Sequence, residues 1–136
     1  MLVLPNLRFT DTHCHLDFPE LLAKIKPLLD NCSQQNIHQI IIPSVSPDNW
    51  ESILYLTQHY SSPNCSLFAA YGIHPWYLKS LTHDALAALA HRVEQCSNSI
   101  IAIGETGIDG KIAEEQDNLK KQIEFFEFHK TNITYR

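Results

Sequence analysis

Short apolar runs alternate along the chain with stretches whose apolar positions recur every three to four residues. Residues 9–12, 39–43, 67–72 and 100–104 are brief, mostly apolar, and each ends near a polar residue or a glycine. Runs of this kind predict buried strands. Between them, Trp50, Ile53, Leu54 and Thr57 share one face of a predicted helix that opens at Ser46-Pro47, a capping residue followed by a proline suited to the first turn. Leu86, Leu89, Ala90 and Val93 share a face of the next helix, with Thr82 as its expected cap. Leu119, Ile123 and Phe126 define the expected buried face of the last. Residues 19–35 are helical in character, and Pro27 is expected to kink or split them.

Strand starts at residues 9, 39, 67 and 100 set a βαβ rhythm, which implies a parallel sheet with helices packed on it. The class is α/β, with all of 1–136 expected to form one domain. Two architectures share the rhythm. An open doubly wound sheet suits a chain of this length. A (β/α)₈ barrel typically needs ~250 residues, so about four βα units would make only the N-terminal half of one. Length alone favours the open sheet; the chemistry-bearing motifs favour the half-barrel.

Composition narrows the function classes. Hydrophobic residues make up 44% and charged residues 18% of 136 residues, as in ordinary globular proteins. The net charge of −5 is the wrong sign for holding nucleic acid on a broad basic surface. A phosphate-bearing substrate would need a local attraction such as a metal ion. Cys14, Cys32, Cys65 and Cys96 are dispersed with no CxxC pair, which reads as free thiols in a reducing compartment. No apolar run approaches the ~20 residues of a membrane span. The apolar start Met1-Leu2-Val3-Leu4-Pro5 lacks the basic lead-in of a signal peptide, so a cytoplasmic location is expected.

Three strand ends carry candidate chemistry. The first reads Asp11-Thr12-His13-Cys14-His15-Leu16-Asp17. Alternation places His13 and His15 on one face and Cys14 on the other. Two imidazoles so placed either converge on a divalent ion or form a hydrogen-bonded pair, and Cys14 is expected in the core. The fourth strand ends in Gly104-Glu105-Thr106-Gly107-Ile108-Asp109. A carboxylate after so apolar a run must be paired, so Glu105 is either an oxygen ligand on the same rim or an acceptor for loop amides. The third runs into Gly72-Ile73-His74-Pro75-Trp76-Tyr77. His74 either contacts substrate phosphate, transfers a proton or is merely exposed; Trp76 and Tyr77 either stack on a base or pack over the mouth. His38, His59, His83, His91 and His129 carry no partner motif and receive no role. Nucleotide-binding glycine loops and the GxSxG turn are missing from the sequence.

The segments DTHCHLD (11–17), YGIHPWY (71–77), AIGETGID (102–109) and QIEFFEFH (122–129) resemble, in order and spacing, the signatures of the TatD family of metal-dependent deoxyribonucleases. The resemblance covers roughly residues 7–129. It implies a TIM barrel, one or two divalent ions (zinc, magnesium or manganese) in its mouth, and phosphodiester hydrolysis of DNA, single-stranded or 3′-ended. By the same resemblance His13, His15 and Glu105 are metal ligands, Glu105 shared between two ions, with His74 and Asp17 beside them in the catalytic site.

The family pattern then calls for a fifth strand with a further histidine ligand, and later for another histidine and an aspartate. Residues 130–136 do not resemble that continuation. The expectation is a chain interrupted after residue 129, with bare sheet edges that invite self-association. Three functions follow for test: a TatD-like hydrolase, an inactive fragment of one, and a small metal- or partner-binding α/β domain.

Overall fold

Four parallel strands lie side by side in the order in which the chain makes them, β1-β2-β3-β4. The computed structural model describes residues 7–96 and 98–132. The strands are β1 (Phe9–Asp11), β2 (Ile37–Pro43), β3 (Ser66–Tyr71) and β4 (Ile100–Ile103). The helices are α1 (Pro19–Leu22), α2 (Ile25–Gln34), α3 (Trp50–His59), α4 (Asp84–Gln95), α5 (Gly110–Gln116) and α6 (Leu119–Asn132), with 3₁₀ turns at Pro47–Asn49 and Pro75–Ser80.

The strand order separates the two architectures. Parallel strands joined by right-handed crossovers that always step the same way carry their helices on one face. A doubly wound sheet must instead reverse its direction of travel. No reversal occurs among the described residues, so the sheet is wound as the N-terminal half of a (β/α)₈ barrel. Within it Ile40 pairs with Leu67 and Ile42 with Ala69. All four are buried, with Leu16, Ile53, Leu56 and Leu89 from neighbouring segments. Trp50 meets Tyr71 edge-on at 6.2 Å, and the Tyr71 hydroxyl donates to the Trp50 carbonyl at 3.4 Å. Among the described residues β1 and β4 are edge strands.

Local signals explain most element boundaries. Ser46 caps the turn before α3, accepting from the amide of Asp48, and Pro47 takes the first position as expected. The predicted break in 19–35 falls at residues 23 and 24, so that Pro27 sits in the first turn of α2, where its missing N–H costs nothing. Asn36, at φ 63°, turns the chain from α2 into β2.

Two expectations need correction. The side chain of Thr82 does not cap α4: its hydroxyl bonds the Asp84 carboxylate, and only its carbonyl accepts from the Ala85 amide. The face of α6 was also misassigned. Leu119 and Ile123 are 49% and 43% exposed, whereas Gln122, Phe125 and His129 are buried. The buried face is largely polar because it grips a loop rather than a strand, so hydrophobic periodicity pointed the wrong way. The last helix, α6, runs on to Asn132. The apolar start at 1–6 and the rest of the tail, 133–136, lie outside the described residues.

Candidate metal centre

The C-terminal ends of the strands form one rim, and an open pocket there is lined by Thr12, His13, Pro43, His74, Glu105 and Thr106 among others. His13 and His15 follow β1 and Glu105 follows β4, so the opposite edges of the sheet meet at this point. One donor atom from each of the three lies within 4.8 Å of the others. His13 Nε2 stands 3.3 Å from Glu105 Oε1, and His15 Nε2 stands 3.6 Å from Glu105 Oε2. Two ligands about 2.1 Å from a shared ion are about 3.0–3.6 Å apart for angles of about 90–120°, so these separations suit a divalent cation. Imidazole nitrogens and a carboxylate are the right donors for one, and no second such group occurs among the described residues. Cys14 packs against the core on the other side, and its thiol is pushed up by burial and then by the charge of Asp11.

Glu105 is placed by its backbone. Its N–H donates to the Ser44 carbonyl at 2.8 Å, and the Gly104 N–H donates to the Tyr71 carbonyl at 3.0 Å. The Gly104–Glu105 peptide is cis. The fully buried Ser44 hydroxyl donates to the Gly72 carbonyl at 2.9 Å and accepts from the Gly72 N–H at 2.7 Å. A three-way knot of β2, β3 and β4 ends thus sets the height of the carboxylate above the sheet.

Asp17 lies beside His15. Its side chain is 4% exposed, with Oδ1 lying 3.9 Å from His15 Nδ1. His74 lines the same pocket as His13 and Glu105. Its Nδ1 accepts from the Trp76 N–H at 3.2 Å, capping the 3₁₀ turn, so in the neutral ring the proton sits on Nε2. Trp76 is 55% exposed and Tyr77 44%.

Sequence reasoning missed the residues that brace this rim. Asp109 caps α5 through the Ile112 N–H at 2.9 Å and accepts from the Trp76 indole N–H at 3.1 Å. These two bonds, the backbone one first, hold its carboxyl below the usual range. The buried Gln122 clamps the Asp109 backbone from both sides, at 2.7 and 3.2 Å. His129, given no role above, is buried: its Nδ1 contacts the Phe125 carbonyl at 2.5 Å, and its Nε2 accepts from the Ile73 N–H at 3.3 Å. It thus ties α6 to the loop that carries His74. The missed signal was a helical spacing of polar residues, Asn118, Gln122 and His129, which reads as a solvated face unless the partner loop is known.

A profile of the family described as TatD related DNase matches residues 10–131. A metal-dependent hydrolase of Escherichia coli K12, YjjV, itself described as uncharacterized, is 33% identical over 102 residues, 75% of this chain and 38% of the relative. Human deoxyribonuclease TATDN3 is 24% identical over 102 residues, 73% of this chain and 37% of its own. The crystal structure of YjjV superposes with a TM-score of 0.76 at 29% identity, over 90% of this chain and 45% of that one. A TatD family hydrolase from Entamoeba histolytica gives the same TM-score at 19% identity, over 90% of this chain and 44% of its own, which speaks for the fold alone. The chain spans less than half the length of each of these relatives.

Proposed function

The chain belongs to the family of TatD-related DNases and metal-dependent hydrolases, and from that premise we propose that it hydrolyses phosphodiester bonds of DNA at the His13–His15–Glu105 centre. The observation that carries the reading is the convergence of these three donors, from opposite edges of the sheet, at ligand spacing. A divalent ion held by His13, His15 and Glu105 would supply positive charge to polarise a phosphoryl oxygen and to lower the pKa of water toward neutrality. Zinc, manganese and magnesium all accept such donors.

The chain's own groups do the rest. His74, protonated on Nε2 by virtue of its Nδ1 bond, presents a donor to a phosphate oxygen or to the departing alkoxide. Asp17 faces the far side of His15 and steadies it. Trp76, exposed yet held by Asp109, offers a flat apolar surface at the rim on which a base of a single-stranded 3′ end stacks. The overall charge of −5 supports a substrate held locally rather than by the field of the molecule. No helix among the described residues is long and apolar enough to cross a membrane. Four unpaired cysteines support a reducing, cytoplasmic setting. The edges that β1 and β4 present among the described residues support self-association of the chain.

The test is cleavage of a 3′-labelled single-stranded oligonucleotide with and without Mg²⁺, Mn²⁺ or Zn²⁺, beside a His13→Ala/His15→Ala control. Metal-dependent turnover absent from the control is expected. Metal binding without turnover in folded protein would sink the nuclease reading and leave a metal-binding domain.

A further inference from the structure

His15 and Asp17 both carry a buried polar atom without a hydrogen-bond partner, His15 Nδ1 and Asp17 Oδ1, and the two face each other at 3.9 Å. A buried N–H or carboxylate oxygen left alone is costly, and an approach of about 1 Å would join the facing pair in a hydrogen bond. What holds the carboxylate in that position is on another element. Asp17 Oδ2 accepts from Asn49 Nδ2 at 2.9 Å. The orientation of the Asn49 amide is itself fixed, because its Oδ1 accepts from the backbone N–H groups of Val45 and Ser46 at 3.2 and 3.4 Å. With its oxygen committed to two backbone donors, the amide must turn its NH₂ to Asp17. The His15 ring is confined as well, stacked on Phe18 at 4.8 Å with 15° between planes.

We infer that Asn49 is a positioning residue of the centre: through Asp17 it fixes His15 in the Nδ1–H tautomer, leaving the Nε2 lone pair aimed at the space shared with His13 and Glu105. The inference rests on the metal-centre reading above and adds to it a residue 32 positions from Asp17 in sequence, on the turn between β2 and α3. The chemistry is that of a ligating imidazole whose far nitrogen is engaged by a carboxylate, with the carboxylate in turn hydrogen-bonded. Without the Asn49 donor, Asp17 would lose its only hydrogen bond among the described residues and could turn away from His15. The imidazole would then sample both tautomers, and its Nε2–H form would present a proton where a lone pair is needed.

The experiment has two readouts. Long-range proton–nitrogen NMR on the metal-free full chain, at a pH where imidazoles are neutral, reports the His15 tautomer directly. The expected wild-type result is Nδ1–H; an Nε2–H tautomer would overturn the proposal without need of any variant. Asn49→Asp then keeps an oxygen for the Val45 and Ser46 amides but removes the donor to Asp17. It is expected to lose the tautomer bias and to bind Mn²⁺ about 10–100-fold more weakly by calorimetry. Unchanged tautomer and unchanged Mn²⁺ affinity in Asn49→Asp would show that Asn49 only caps the turn, and the proposal would fall. Absence of Mn²⁺ binding by the wild type would remove the metal-centre reading itself, and this inference with it.

Discussion

Gly72 lies against the backbone of Glu105 so closely that a methyl group at position 72 would stand 2.3 Å from the Glu105 carbonyl oxygen and 2.6 Å from the Gly104 carbonyl carbon. Both obstacles are main chain, held by the Ser44 knot, and neither can rotate aside. Glycine is therefore required here for close approach of two chain segments rather than for an unusual φ. Gly72→Ala is expected to destabilise the fold by about 3 kcal/mol, the upper end for overpacking, and to displace Glu105. Urea midpoints and Mn²⁺ titration check the two effects. A variant that melts and binds metal like wild type would mean that the β4 end has room to move.

His129 gives the fold a pH dependence of known sign. Burial pushes its imidazole below the ordinary value of 6.5, against a smaller upward pull from the Phe125 carbonyl. The unfolded chain thus takes up this proton at higher pH than the folded one. The stabilising contribution is complete above about pH 6.5 and is lost as pH falls from there through the folded-state value. Protonation would also remove the Nε2 acceptor for the Ile73 N–H. His129→Gln, which keeps an amide donor and acceptor but does not titrate, is expected to flatten the fall in urea midpoint between pH 7.5 and 5.5. Parallel curves for variant and wild type would assign that dependence to other groups.

What could be read from residues alone depended on whether a signal was local. The pair His13 and His15 was legible because strand alternation fixes their common face, and Glu105 because an acid after Ile100-Ile101-Ala102-Ile103 needs a partner. The Ser46-Pro47 start of α3 was legible for the same local reason. Asn49 was not: it closes a capping box with Ser46, and nothing in the sequence says that its amide also reaches Asp17. The buried face of α6 failed because Gln122 and His129 are buried by hydrogen bonding to loops, and flanking Glu124, Glu127 and Lys130 made that helix look solvated on all but its exposed apolar stripe. The choice between open sheet and half-barrel depended on strand order, which periodicity does not encode.

Trp76 is expected to contribute to substrate binding rather than to folding. Its ring is exposed, edge-on to His74 at 5.4 Å, and fixed by the Asp109 carboxylate. Trp76→Ala should weaken binding of a single-stranded oligonucleotide by about 1–3 kcal/mol, roughly five- to 150-fold, with little change in the thermal midpoint. Asp109→Ala should weaken binding in the same direction while leaving the ring in place but unanchored. Fluorescence anisotropy of a labelled oligonucleotide measures both. If Trp76→Ala binds as wild type does, the rim is not a stacking platform.

A metal that binds only the folded chain must stabilise it in proportion to saturation. At a free concentration one hundred times its dissociation constant, the gain is about 2.7 kcal/mol, and a chelator should reverse it. The three donors make the expectation specific, since Glu105 bridges toward both imidazoles, at 3.3 and 3.6 Å. Glu105→Gln keeps the side-chain volume yet removes the charge, so its midpoint without metal should stay near that of wild type while the metal-induced rise shrinks. His13→Ala/His15→Ala should abolish the rise altogether. Scans of the three proteins with EDTA and then with Mn²⁺ or Zn²⁺ make the comparison. An equal rise in the double variant would place the binding at some other group, and the centre described at this rim would lose its claim to the ion.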